Sequence, residues 1–335
     1  MLKILPRHEI DASAWNDCVA AAAQRIVYGY SWYLDAVLPA PMWKWMGIVF
    51  VDESNTYQAV MAVPLRRKHW AGVTFAWVVH QPFFCQFLPV FSRDDTFSFQ
   101  PFYELLIKHF RYGAVLRLEQ KPDAKLINSI QQLSTHILHL SPDYETIYQN
   151  YTTDRKMNLL RAQRANWHVI DSTDSGPLLN LFREYHAAGI PGGVGEWAYA
   201  ILQNLTEVLQ KRNVAVLRYA TRAERIEAGA LFVCEGNRII YLFNAASEVG
   251  RKGNARTLLI DQLIQEYTGR YYGGKSFLLD FESPEKQSIR SFYKSFGAIE
   301  TTFWEVRWNH LHPIVQALLR IVKKLTVAKR NVTAV

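Results

Sequence analysis

Between Arg238 and Ala298 the chain alternates its elements in an order that few folds accommodate. Arg238-Ile-Ile-Tyr-Leu-Phe-Asn-Ala-Ala246 reads as an apolar strand. Gly250-Arg-Lys-Gly-Asn-Ala255 is a glycine turn, and a helix follows from Ala255 towards Tyr267. Ser276-Phe-Leu-Leu-Asp-Phe-Glu282 reads as a second strand, and Ser283-Pro-Glu285 opens a helix ending in Phe-Tyr-Lys-Ser-Phe-Gly297. A strand, a glycine turn and a helix start bring backbone N–H groups and a helix dipole to one point, which suits an anion. Gly250, Gly253 and Ala255 allow close backbone approach, while Arg251, Lys252 and Asn254 add charge or donors. An ordinary βα turn with solvated bases accounts for the same residues.

Composition narrows the class. The length of 335 residues suggests two domains. The 49% hydrophobic and 13% aromatic content favours packed globular structure over disorder. Cys18, Cys85 and Cys234 are far apart and odd in number, so they give neither a disulfide framework nor metal-ligand spacing and point to a reducing, cytoplasmic setting. The stretch Thr74–Phe91 is apolar but broken by His80, Gln81, Pro82, Gln86 and Pro89, which fits buried strands better than a membrane span. Of the net charge of +8, the five bases Arg320, Lys323, Lys324, Lys329 and Arg330 near the C-terminus supply +5. This describes a basic tail more than a nucleic-acid-binding protein.

Strand and helix patterns predict mixed α/β halves, with a boundary near residue 145 and a basic amphipathic helix and tail over 311–335. Asp11, Ser31 and Ser141 are expected helix caps. Residues 64–72 read as a basic loop. The tail helix suits an anionic membrane surface or a cap on the second domain.

The turn and the Phe-Tyr-Lys-Ser-Phe-Gly297 ending together resemble the GNAT superfamily of acyl-CoA N-acyltransferases, whose signature turn is Gln/Arg-x-x-Gly-x-Gly/Ala. Gly253 and Ala255 fill its last two positions, and Gly250 stands where Gln or Arg is usual. Ala298 replaces the usual aromatic after Gly297. The layout is similar to the Fem-like branch with two GNAT domains in tandem, through the basic helix 154–165, Asp280-Phe-Glu282 and Tyr30-Ser-Trp-Tyr-Leu34. The resemblance implies an α+β chain of two tandem GNAT-like domains, each a mixed, largely antiparallel sheet flanked by helices. It divides the chain into a degenerate domain over 1–145, a donor-binding domain over 146–310, and the tail.

For chemistry, the resemblance implies an N-acyltransferase using acetyl-CoA or another acyl-CoA, with no metal. Gly250, Arg251, Lys252, Gly253, Asn254 and Ala255 would hold the pyrophosphate. Tyr293 would protonate the departing thiol, although its place on the apolar face Ile289, Phe292, Tyr293, Phe296 also suits core packing. Asp280 and Glu282, on one face of a strand, are candidate bases for the amine; the alternative has Asp280 paired with a base and Glu282 in water. Asn244 lies beside the acyl site, and Arg155 and Arg161 on the basic helix suit an anionic acceptor, a tRNA or a solvated face. Two other functions stay open: a Fem-like transferase using aminoacyl-tRNA and a peptidoglycan precursor, and a non-catalytic binding protein. Contact with the inner membrane face through the tail is compatible with all three.

Overall fold

The computed structural model describes residues 1–316, apart from 71–72, 124, 126, 141–142, 191 and 284–285. The first part of the chain forms β1 (Leu2–Pro6), α1 (Ala12–Ala21), α2 (Ser31–Val37), β2 (Trp43–Val51), β3 (Tyr57–Trp70), β4 (Val73–His80), β5 (Phe91–Ser92), α3 (Gln100–His109) and β6 (Tyr112–Leu118). Next come β7 (Ser129–His139), α4 (Tyr144–Gln149), α5 (Thr153–Arg164), β8 (His168–Ser172), α6 (Gly176–Tyr185) and α7 (Glu196–Lys211). The remainder is β9 (Ala215–Arg222), β10 (Arg225–Glu235), β11 (Arg238–Ala246), α8 (Glu248–Lys252), α9 (Ala255–Tyr267), β12 (Tyr271–Tyr272), β13 (Lys275–Ser276), β14 (Leu278–Asp280), α10 (Gln287–Lys294) and β15 (Ile299–Asn309).

These elements form two compact units. Unit 1 comprises Met1–Leu34, Leu38–Gln132 and the chain from Phe303; unit 2 comprises Asp35–Val37 and Leu133–Thr302. The expected boundaries near 145 and 310 are therefore corrected: the chain changes unit within β7 and again within β15. The reason is strand pairing. Trp304–Asn309 of β15 pair with β6, whereas Ile137–His139 of β7 pair with β14. The tail expected over 311–335 lies, beyond residue 316, outside the described residues.

Each unit repeats one topology. In unit 1 the order is β1-β2-β3-β4-β6-β15, and in unit 2 it is β8-β9-β10-β11-β14-β7. Four antiparallel strands are followed by one parallel step, β4 to β6 or β11 to β14, and then an antiparallel strand. The expected α+β class with mixed, largely antiparallel sheets is what forms. Residues 64–70 extend β3 rather than forming a loop, because they pair with β2 and β4.

Local caps follow the sequence in part. Asp11 Oδ1 accepts the N–H groups of Ser13 and Ala14 and starts α1. Ser31 is no cap; its own N–H is taken by Asn16 Oδ1 at 2.9 Å. Asp143, two residues beyond the expected Ser141, caps α4, and Thr152 caps α5.

The unit 2 core packs α5, α9 and α10 on the sheet through Leu159, Leu259, Leu263 and Tyr293 against Phe232, Ile239, Leu279 and Phe281. Fully burying one such side chain stabilises the fold by about 1.5–3 kcal/mol. α9 is buried along most of its length, including Asp261. That carboxylate accepts hydrogen bonds from Tyr144 Oη at 2.7 Å, Tyr151 Oη at 2.9 Å and Gln265 Nε2 at 2.7 Å. Burial pushes the Asp261 carboxyl up, while the three donors oppose that. Removing the acceptor strands those donors, so Asp261→Ala should cost about 2–4 kcal/mol in urea unfolding, and Asp261→Asn clearly less.

Candidate active site

The parallel pair β11–β14 is short. It runs through Arg238↔Leu278, Ile239↔Leu279 and Ile240↔Asp280 and then stops. β11 continues to Ala246 paired with β10 but no longer with β14, while the other strand turns away at Glu282, where φ is 45°. The result is a wedge between two strands of one sheet, with backbone groups of β11 along its edge. The matching gap in unit 1 is closed by its own chain. There Gln81 N–H donates to Val115 O, Gln81 Oε1 accepts Arg117 N–H, and Leu88 N–H donates to Arg117 O.

Asp280 fixes the base of the wedge. Its side chain is fully buried, and both oxygens are engaged. Oδ1 accepts Thr135 Oγ1 at 2.8 Å and Glu282 N–H at 3.0 Å; Oδ2 accepts Arg238 Nη1 at 3.0 Å. The expectation of Asp280 as a base is thus corrected, because its lone pairs are occupied by an ion pair and two hydrogen bonds. Next to it, Phe281 N–H donates to His136 O, and His136 Nδ1 shares a 2.9 Å hydrogen bond with Ser283 Oγ.

Glu282 stands differently. Its left-handed backbone takes it off the strand face it was expected to share with Asp280. Its Oε1 is buried and, among the described residues, has no hydrogen-bond partner. Loss of hydration raises its pKa to about 8. Glu282 as a whole is half-buried, so the water-facing alternative applies to part of the residue and not to Oε1.

Tyr293 stacks on Phe281, the residue before Glu282, with ring centroids 4.6 Å apart, and meets Tyr241 edge to face at 6.1 Å. Burial pushes the Tyr293 phenol up to about 12; Arg256 and a hydrogen bond with Asn244 pull it down, and the Glu282 carboxylate pushes it up. Arg256 Nη1 donates to Asn244 Oδ1 at 2.9 Å, and its guanidinium lies 5.7 Å from the Phe292 ring centre. Glu282, Tyr293, Tyr241, Asn244 and Arg256 therefore form one electrostatically linked group. It brings a carboxyl group and a phenol together with a cation. Arg256 and Tyr241 were missed in the sequence, where one reads as a helix residue and the other as part of an apolar strand. The signal for Arg256 was its place as the first charge on the helix after the turn.

The glycine turn is more built up than expected. Ser247 caps a short helix, α8, through Gly250 N–H at 3.0 Å, and its hydroxyl also donates to Glu227 Oε2. Asn254 then takes a left-handed conformation, φ 55°, before α9 begins. A Cβ on Gly250 would meet Glu227 O at 2.1 Å, and one on Gly253 would meet Trp167 Cζ2 at 2.3 Å. Trp167 Nε1 also donates to Gly253 O at 2.8 Å. Close approach is thus used by the protein's own strand and indole, and Ala255 is buried. Arg251 and Lys252 are exposed beside the start of α9, with Lys252 3.8 Å from Glu248.

The basic helix is not a uniform face. Arg155 is only 5% exposed; its Nε donates to Ser295 Oγ at 2.8 Å and its Nη1 to Thr257 Oγ1 at 2.6 Å. The guanidinium lies over Phe292 and Phe296 at 4.2 and 4.5 Å, and burial lowers its pKa to about 10. Arg155 is therefore a packing residue that joins α5 to α9 and α10, a correction to its expected acceptor role. Arg161 is exposed. Among the described residues, no cluster of three or more His, Cys, Asp or Glu could hold a metal, and no helix is long and apolar enough to cross a membrane.

No family model and no curated protein matches the chain. Solved structures do. FemX is similar over 96% of this chain and 99% of its own, with a TM-score of 0.61 at 10% identity. A tandem GNAT protein from the clavulanic acid biosynthesis pathway is similar over 92% and 98%, with a TM-score of 0.50 at 13% identity. L-PGS from Bacillus licheniformis matches over 92% and 95%, with a TM-score of 0.50 at 13% identity. At such identities the likeness is one of fold. The chain has a tandem GNAT-like fold with Fem-like structural neighbours.

Because its missing Cβ faces a backbone carbonyl, Gly250→Ala should cost about 3 kcal/mol in chemical denaturation, with the larger share coming from displacement of α8 from β10.

Proposed function

We propose that unit 2 is an N-acyltransferase that moves an acyl group, in the simplest case acetyl, from acyl-CoA to an amine on a small molecule or peptide. The observation that carries this reading is the buried, unpartnered Glu282 Oε1 beside Tyr293, at the point where β11 and β14 part. An amine is mostly protonated at neutral pH and must lose a proton before it attacks. A carboxylate with its pKa near 8 is a competent acceptor for that proton. The amine nitrogen then adds to the acyl carbonyl, the tetrahedral adduct collapses, and the C–S bond breaks. Tyr293 gives its proton to the sulfur and regains one from protonated Glu282, and the adduct nitrogen loses its second proton to the carboxylate so freed, which passes it to solvent. Arg256, near the Tyr293 hydroxyl, lowers the cost of transient phenolate charge. The start of α9 with Arg251, Lys252 and Asn254 would receive the donor phosphates.

A second reading, transfer from aminoacyl-tRNA in the Fem-like manner, is favoured by one observation. Gly250 and Gly253 are covered by Glu227 and Trp167, so neither offers a bare face to a pyrophosphate. In that reading the exposed Arg161 and Arg164 of α5 are available to nucleic-acid phosphates. Either reaction belongs in the cytoplasm, and the basic residues from Arg320 to Arg330 suit peripheral contact with an anionic membrane.

Thermal unfolding separates the donors. Acetyl-CoA should raise Tm, and aminoacylated tRNA should not; the reverse favours the second reading, and no response to either contradicts both. With transfer to an amine in hand, Tyr293→Phe should lower kcat about 10²-fold or more. The wild-type rate should climb with pH as Glu282 ionises and level off above about 8, and Glu282→Gln should abolish that rise.

A further inference from the structure

We propose that Tyr241 is a further catalytic residue, whose hydroxyl donates a hydrogen bond to the acyl oxygen as negative charge develops on it. The proposal rests on the acyl-transfer reading and extends it to a residue outside the acid–base pair. Tyr241 is the first residue of β11 beyond the last pairing with β14, so it stands at the apex of the wedge. It is 2% exposed, and its Oη is buried with no hydrogen-bond partner among the described residues. Buried hydroxyls nearly always have partners, and an unpartnered one is a net destabilisation. Packing gives no reason for the hydroxyl. The ring stacks on Phe232 at 5.1 Å and meets Phe281 and Tyr293 edge to face at 6.3 and 6.1 Å, contacts a phenylalanine would make equally.

Among the described residues, Glu282 Oε1, on the residue that follows Phe281, is also unpartnered, as is His136 Nε2 on the far side of Ser283. A donor and an acceptor are thus both left open around Tyr293, which is what a site made for a reacting acyl group and an amine requires. As the C–N bond forms, the carbonyl π electrons move onto oxygen. A fixed donor in a dry wedge stabilises that oxyanion more than the ground-state carbonyl. When the adduct collapses the electrons return, the leaving atom takes the Tyr293 proton, and Tyr241 keeps its own throughout. Tyr241 is neither acid nor base, and the arrangement serves a thioester or an ester donor alike.

The test joins stability to kinetics. Tyr241→Phe should leave Tm unchanged or raised, because it removes an unpartnered hydroxyl. Tyr219→Phe is the control and should lower Tm, since Tyr219 Oη donates to Asp174 O at 2.6 Å and accepts Leu178 N–H at 3.2 Å. With acetyl-CoA or aminoacylated tRNA as donor and a panel of primary amines as acceptors, Tyr241→Phe should lower kcat at least about ten-fold, with KM little changed. Transfer by the wild type that survives Tyr241→Phe at full kcat would overturn this proposal alone. So would a Tm loss matching that of Tyr219→Phe, or an effect confined to KM. No transfer by the wild type with any of these probes would overturn the acyl-transfer reading and this proposal together.

Discussion

The ion pair between Arg238 and Asp280 is the contact on which the rest of unit 2 depends. It ties the first residue of β11 to the last residue of β14 across their short parallel pairing. Through its other oxygen, Asp280 also holds Thr135 of β7 and the N–H of Glu282. One buried carboxylate thus joins three strands and fixes the turn that follows. Replacing one partner of such a pair leaves an uncompensated buried charge, which is costly. The same bonds that consume Asp280 set Glu282 beyond the end of the strand, where its Oε1 has no partner among the described residues.

In the proposed reaction, the two neighbouring carboxylates have different parts. Two residues apart, one is neutralised by arginine and hydroxyl, and the other keeps a buried oxygen with no partner among the described residues. Unit 1 shows what happens to the same topology without this arrangement. Its parallel pair also ends, but Gln81 and Leu88 continue the hydrogen bonding along β6 and fill the gap. A repeated fold therefore carries one open wedge and one closed one, and the difference lies in which backbone groups find partners.

Much of the fold could be read in the sequence, because periodicity reports which face is buried. The bounds of β11 and α9 follow directly from the apolar run 238–246 and the helix after Asn254. The mixed, largely antiparallel sheet around them followed from the resemblance to GNAT proteins. Other features left no mark. A strand that completes a different unit, such as β15, reads like any other strand, since pairing partners are not encoded locally. The left-handed turn at Glu282 falls on a residue that ordinarily avoids it. Arg155 looked like one of several solvated bases, yet hydroxyls and two phenylalanine rings take it into the core. The glycines were read as points of close approach for a pyrophosphate, and the groups that lie against them are Glu227 and Trp167.

The central claim is that Glu282 is a desolvated base held ready by its neighbour. It is tested most directly by following the Glu282 carboxyl carbon by ¹³C NMR across a pH titration, with the resonance assigned by its loss in Glu282→Gln. The account predicts a midpoint near 8. A midpoint near the ordinary 4.5 would contradict it.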